Sequence, residues 1–337
     1  MSTAFPQFRE RFPWFGGDLQ TLHNWMTRRA PDVGRYPGRR LVVDLADGTG
    51  DRLAAMLNRP LEKTSRPLAV LVHGLTGWED SVYIRRSAGH LLEHGFPVLR
   101  LNLRGAGPSR PLCRWHYHAG RSEDLFMVLS QIEAELCRNG VVLVGYSLGG
   151  NMLLKFLAEA GKAFPIRAAA SVSAPIDLQA CSVELRRPRN RVYQRWLLTA
   201  MKEESLAPAA EPTEAERRTI ASARTLYEFD NLVVAPRNGF RDAEDYYARS
   251  SAQSYLAQIT VPTLIIHAGN DPWIPGDAYA RVDWSANPRL TPLLSAGGGH
   301  VGFHGVGDEA SWHDRCVVRF FEEQEARGIA ANAPNAA

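Results

Sequence analysis

The chain has 337 residues, of which 45% are hydrophobic and 22% charged, the composition of a globular protein long enough to bury a core without disulfides or a structural metal. Its 39 basic and 36 acidic residues leave a formal charge of +3, with few lysines and scattered arginines, which excludes nucleic acid as a partner on charge grounds. No apolar run has the ~18 residues of a membrane span, and Arg9, Glu10 and Arg11 interrupt any signal peptide. The cysteines at 113, 137, 181 and 316 form no C-x-x-C pair, so reduced thiols in a cytoplasmic protein are expected.

Residues 1–40 are rich in aromatics and proline without clear periodicity, and read as a segment that wraps the core. Leu41–Leu45 and Arg52–Asn58 read as strands around the hairpin signal Asp47-Gly48. Leu68–Val72 reads as a buried strand, Tyr83–His94 as a helix and Pro97–Leu101 as a strand. Ser122–Arg138 has helical periodicity, with Ser122 as its N-cap. Val141–Val144 is a strand, Leu148–Ala160 a helix and Ala168–Val172 a strand. The alternation stops between about 177 and 258, a charged, helical block. It resumes with strands at Thr263–His267 and Leu290–Leu294, and a helix near Glu309–Arg327 capped by Gly328. Strand–helix alternation of this kind predicts an α/β fold with a mostly parallel sheet covered by helices on both faces. The domain is expected over 41–328, with 177–258 as a helical cap over the strand ends and 329–337 as a frayed tail.

The most informative stretch runs from Val141 through Gly145-Tyr146-Ser147-Leu148-Gly149. It is a buried strand entering G-x-S-x-G and then an amphipathic helix, the context in which that pattern presents a nucleophile. The turn is so tight that side chains at Gly145 and Gly149 would collide with neighbouring backbone. Ser147 would project at a helix N-terminus, whose positive end favours developing negative charge. The spacings of a dinucleotide loop and of a phosphate loop are both missing here.

A serine hydroxyl needs a base, and the base an orienting acid. In this architecture they follow in the order Ser, acid, His. Asp271 directly follows the strand Thr263–His267, with Asp277 as a nearby competitor. His300 follows the strand Leu290–Leu294 and a glycine run, with His304 as its rival. The oxyanion needs two preformed donors. The N–H of Leu148 is one. The other is assigned to Leu75 in the loop His73-Gly74-Leu75-Thr76-Gly77, with Thr76 as the alternative and His73 as a structural hydrogen-bonder.

With these residues in view, the chain resembles the α/β-hydrolase superfamily, and more narrowly its YheT-like family with mammalian α/β-hydrolase-domain relatives. The resemblance covers most of the chain. It rests on Asp18-Leu19-Gln20-Thr21-Leu22, His73-Gly74-Leu75-Thr76-Gly77, Asn102-Leu103-Arg104-Gly105, Tyr117-His118-Ala119-Gly120 and Gly145–Asn151. It extends to Phe229-Asp230, Gly239-Phe240 and Tyr246-Tyr247, then to Asn270-Asp271-Pro272 and Gly298–Phe303. The resemblance implies carboxylesterase or lipase activity with Ser147, Asp271 and His300 as the triad. Two departures stand out: Asp18 where the family often has His, and Asn270 where it often has a second Asp.

The expected function is hydrolysis of small-molecule or lipid carboxylic esters through an acyl-enzyme, with no cofactor and no metal. The alternatives are a thioesterase, amidase or acyltransferase using the same triad, or a non-catalytic binding module. His116 and His118 lack the carboxylate or third histidine of a metal site, and read as loop packing. Arg191–Met201 reads as an apolar cap helix that could wall an acyl pocket. Arg186, Arg187, Arg189 and Arg191 form a basic cluster, read first as solvated surface and second as a weak membrane-surface contact.

Overall fold

The computed structural model describes residues 5–307 and 309–332. Eight strands form one sheet in the order β1-β2-β4-β3-β5-β6-β7-β8. In chain order they are β1 (Gly38–Asp44), β2 (Arg52–Asn58), β3 (Leu68–Val72), β4 (Val98–Leu101), β5 (Val141–Tyr146), β6 (Ile166–Val172), β7 (Thr263–Ala268) and β8 (Leu290–Ser295). The β1–β2 hairpin and the β2–β4 pair are antiparallel, and all other pairs are parallel. Strands β3, β5 and β7 are buried along their whole length, as expected where helices cover both faces of a parallel sheet. In β5 the pleat divides the side chains. Val141 and Leu143 enter one core layer, and Val142, Val144 and Tyr146 enter the other.

Helices α1 (Gly16–Thr27), α2 (Val82–Glu93), α3 (Glu123–Gln131) and α4 (Leu148–Ala160) precede β6. The first core layer packs side chains of α3 and α4 on the sheet, and the second packs α2 and the final helix. Between β6 and β7 lie α5 (Leu178–Leu185), α6 (Arg191–Leu206), α7 (Glu214–Ser222) and α8 (Ala243–Ser250), with short turns between them. Leu197, Leu198, Ile220 and Phe229 give this block a small core of its own, which rests on Leu75 and Trp273.

The structure departs from the sequence reading in three places. Helix α3 ends at Gln131 rather than running to Arg138, because Ile132 turns to extended backbone. There the Gln131 side chain donates to the Asp44 carbonyl, and Glu133 pairs with Arg39 of β1, so contacts with the hairpin outweigh helical periodicity. Helix α1 has no counterpart in the sequence reading. Its buried residues are the polar Gln20 and His23, while Leu19, Trp25 and Met26 are exposed, the reverse of the apolar stripe that periodicity detects. The final helix, α9, spans Trp312–Asn332 and passes through Gly328, since an isolated glycine weakens a helix without ending it. Residues 333–337 of the expected tail lie outside the described residues.

Just past β4, Arg104 is almost fully buried and gathers three acidic side chains. It bonds both oxygens of Asp124 at 3.0 and 2.7 Å, Asp51 at 2.9 Å and Asp47 at 2.7 Å. The β1–β2 loop, the end of β4 and the start of α3 are thereby tied at one point.

Candidate active site

The sharp turn after β5 is formed as the glycines require. Ser147 has φ 51° and ψ −125°, a backbone conformation costly for a side-chain-bearing residue. A Cβ at Gly145 would fall 2.5 Å from the Gly149 carbonyl, and one at Gly149 would fall 2.2 Å from the His73 carbonyl. Strand and helix can therefore meet only with glycine at both positions.

Ser147 Oγ lies 2.9 Å from His300 Nε2, and His300 Nδ1 lies 2.8 Å from Asp271 Oδ2. The other Asp271 oxygen, Oδ1, accepts from the N–H groups of Trp273 and Ile274 at 2.8 and 3.0 Å. The Asp271 side chain is fully shielded from solvent, and the Trp273 ring lies 4.3 Å from the His300 ring. The two rivals stand elsewhere. Asp277 sits in the first turn of a short helix. His304 is stacked on His23 at 3.4 Å, and its N–H is taken by Gln20.

Leu75 and Leu148 both line a cavity of about 110 Å³ that also reaches Ser147. The loop before Leu75 approaches very closely, since a Cβ at Gly74 would meet the Ser147 Cβ at 2.8 Å. Among the described residues, neither the Leu75 N–H nor the Leu148 N–H has an acceptor. Thr76, the alternative donor, gives its N–H to Tyr117 Oη at 2.7 Å, and its φ of 57° is another strained value.

His73 plays a structural part. Its Nδ1 meets the Gly74 carbonyl at 2.8 Å, and its Nε2 accepts from the Leu103 N–H at 3.0 Å, which fixes the neutral tautomer with the proton on Nδ1. Burial pushes its pKa down to about 4, against a smaller upward pull from the Gly74 bond. His23, His116, His118, His267 and His304 are also lowered, burial being the largest cause each time. Among the described residues, burial raises two carboxyls to about 7, Asp230 and Glu204. A lowered histidine contributes stability above its unfolded pKa of ~6.5 that is lost as pH falls through its folded pKa, and a raised carboxyl works in the opposite sense. Six groups outweigh two, so the urea midpoint is expected to fall between pH ~6.5 and ~4. A midpoint that holds or rises over that window would contradict this.

The sequence reading missed the part played by α1. Gln20 is fully buried; its amide donates to the carbonyls of Trp14 and His304 and accepts from the His304 N–H. Thr21 Oγ accepts from the His300 N–H at 2.8 Å and donates to the Gly17 carbonyl. Asn270 accepts from the Gly299 N–H at 3.0 Å. The glycine-rich loop that carries His300 is thus held from outside the sheet by α1. The signal was the Leu19-Gln20-Thr21 run, whose polar residues face inward. Thr21→Val and Gln20→Ala are expected to lower kcat by roughly 10²-fold with little change in KM, while Thr21→Ser retains most activity. Equal activity in Thr21→Val and Thr21→Ser would remove this positioning role.

His116 Nε2 lies 2.9 Å from the Glu204 carbonyl, and His118 packs edge-on to Phe240 and Tyr246. In the basic cluster Arg187 pairs with Glu184, Arg189 with Asp18 of α1, and Arg186 stacks over Tyr227.

A family model described as alpha/beta hydrolase fold matches residues 67–305. The chain belongs to this family. Within it, the chain is YheT-like. It is 35% identical over 290 residues to YheT of Escherichia coli, which bears a provisional esterase name; the match covers 85% of this chain and 84% of that one. It is 28% identical over 259 residues to the mouse phospholipase ABHD3, covering 76% of this chain and 62% of the other. Among solved structures, an esterase of Pyrococcus furiosus superposes with a TM-score of 0.57 at 14% identity, covering 95% of this chain and 99% of the other. That likeness speaks for the fold. Among the described residues, no helix is long and apolar enough to cross a membrane.

Proposed function

We propose that this chain hydrolyses carboxylic esters through an acyl-enzyme, with Ser147 as nucleophile, His300 as base and Asp271 as its orienting acid. The observation that carries the reading is the unbroken line of contacts from Ser147 Oγ through the His300 ring to the Asp271 carboxylate, at 2.9 and 2.8 Å. The esterase and phospholipase names of its relatives support it. In the first half-reaction Ser147 Oγ attacks the ester carbonyl while His300 Nε2 takes its proton. Asp271 holds the Nδ1–H and offsets the charge on the imidazolium. The N–H groups of Leu75 and Leu148 receive the developing oxyanion. Collapse returns the proton to the leaving alcohol. Water, activated by the same Nε2, then cleaves the acyl-enzyme and restores Ser147.

Two cavities meet at Ser147. The outer one, about 250 Å³, is lined by His300 and by Trp25, Trp78, Trp196 and Trp273. The departing alcohol needs the His300 proton, so it belongs on this side. The acyl group then occupies the inner cavity beside Leu75 and Leu148. The four cysteines are free thiols, in keeping with a reducing, cytoplasmic setting for this activity.

A fluorescent fluorophosphonate is expected to label the wild-type protein and not Ser147→Ala. On p-nitrophenyl esters from acetate to laurate, kcat/KM should peak at short to medium chains and fall roughly tenfold or more at laurate, because the inner cavity is small. A folded wild type that neither takes the label nor cleaves any ester would overturn the proposal.

A further inference from the structure

Beyond Leu75 and Leu148 the inner cavity is walled mainly by apolar side chains from the cap, among them Leu178, Leu185, Leu197 and Met201. One carboxyl, that of Asp230, opens into it. Asp230 begins a π-helical turn, Asp230–Val234, a rare backbone form that recurs at functional sites. Its Oδ2 accepts from Tyr247 Oη at 2.6 Å, and that hydroxyl also lies 3.3 Å from Ser182 Oγ. Its Oδ1 has no hydrogen bond and no ion pair among the described residues, and is not among the sealed, orphaned polar atoms. That oxygen is therefore accessible, on a partly exposed residue that lines the cavity. A carboxyl held in an apolar chamber is costly unless something bonds to it, and here the protein leaves half of it for a ligand.

Building on the ester-hydrolase reading, we propose that Asp230 selects the acyl group: its free oxygen accepts a hydrogen bond from a hydroxyl on the acyl chain, so the preferred substrates are esters of hydroxylated acyl groups. The acyl side is indicated because His300, which must protonate the leaving alcohol, lines the outer cavity and not the inner one. A hydroxyl fits better than an ammonium. Stripping water from a cation costs far more than from a hydroxyl, and Asp230 would be its single anionic partner here. Burial raises the Asp230 carboxyl to about 7, with the Tyr247 bond pulling the other way; the ionised form accepts from a hydroxyl at its free oxygen, and the protonated form, whose Oδ2 still accepts from Tyr247, donates to the same hydroxyl.

The test compares matched p-nitrophenyl esters, ω-hydroxyhexanoate against hexanoate and ω-hydroxyoctanoate against octanoate. Wild type is expected to favour the hydroxylated ester by roughly tenfold or more in kcat/KM for at least one pair. Asp230→Leu should abolish or invert that preference. Asp230→Asn, which keeps a polar group and a partner for Tyr247, should retain most of it. A wild-type ratio at or below unity for both pairs would overturn the inference, and this comparison needs no variant to fold. Loss of the same factor on both esters in Asp230→Leu would also overturn it, leaving Asp230 as a brace for Tyr247. If wild type takes the fluorophosphonate and cleaves the plain esters without preference, the acyl-selection inference alone fails. If it does neither, the ester-hydrolase reading fails with it.

Discussion

Asp271→Asn should lower kcat by roughly 10³–10⁴-fold while leaving the protein folded. The backbone around Asp271 decides this. The N–H groups of Trp273 and Ile274 both point at Oδ1, so in the variant the amide oxygen must stay there. The amide nitrogen then occupies the position that faces His300 Nδ1. Two donors cannot share one hydrogen bond, so Nδ1 must become the unprotonated nitrogen and Nε2 must carry the proton. An Nε2 that already holds a proton cannot take one from Ser147. Ser147→Ala should cost roughly 10⁴–10⁶-fold and abolish labelling, and the double variant should be little worse than Ser147→Ala, because residues acting as one unit are not additive. Steady-state kinetics with labelling rates would check all three. An Asp271→Asn enzyme within a few-fold of wild type would show that the contact line is not the working machinery.

The largest effect on stability is expected at Arg104. Its side chain is 1% exposed, as against 2% for those of Asp51 and Asp124. Burial alone would push the guanidinium down, and the bonds and charges of Asp124 and Asp47 more than reverse it. Arg104→Met leaves the buried Asp51 without its cation and Asp124 with Arg121 alone, at 3.3 Å, an imbalance of about 3–5 kcal/mol. Arg104→Lys should recover little, because one ammonium cannot reproduce a planar fork that meets three carboxylates. Urea unfolding measures the loss. Adding Asp51→Asn and Asp124→Asn to Arg104→Met should return part of it, since the unpaired charges are then gone. A single-variant loss below about 1 kcal/mol would mean that water reaches the cluster and screens it.

Glutamine 20 shows why local pattern falls short near the site. Periodicity searches for apolar residues on the buried face, yet α1 buries Gln20 and His23 and exposes Leu19, Trp25 and Met26. Its orientation is fixed by hydrogen bonds to a loop 284 residues further along the chain. Ile132 makes the same point in the other direction, where a regular helical pattern is interrupted by contacts with the β1–β2 hairpin.

The strands, their alternation with helices and the turn around Ser147 were legible in the sequence, because each depends on neighbours within a few residues: continuous apolar runs for buried strands, glycines where backbone must touch backbone. The order of Ser147, Asp271 and His300 was legible for a related reason, since strand ends in a parallel sheet collect at one rim. Tertiary structure alone brought those three side chains into contact. It also occupied the Thr76 N–H with the Tyr117 hydroxyl, set α1 as the support of the His300 loop, and placed Asp230 at the wall of a mainly apolar cavity. Each of these rests on groups far apart in the chain, and only packing determines which of many polar atoms meet.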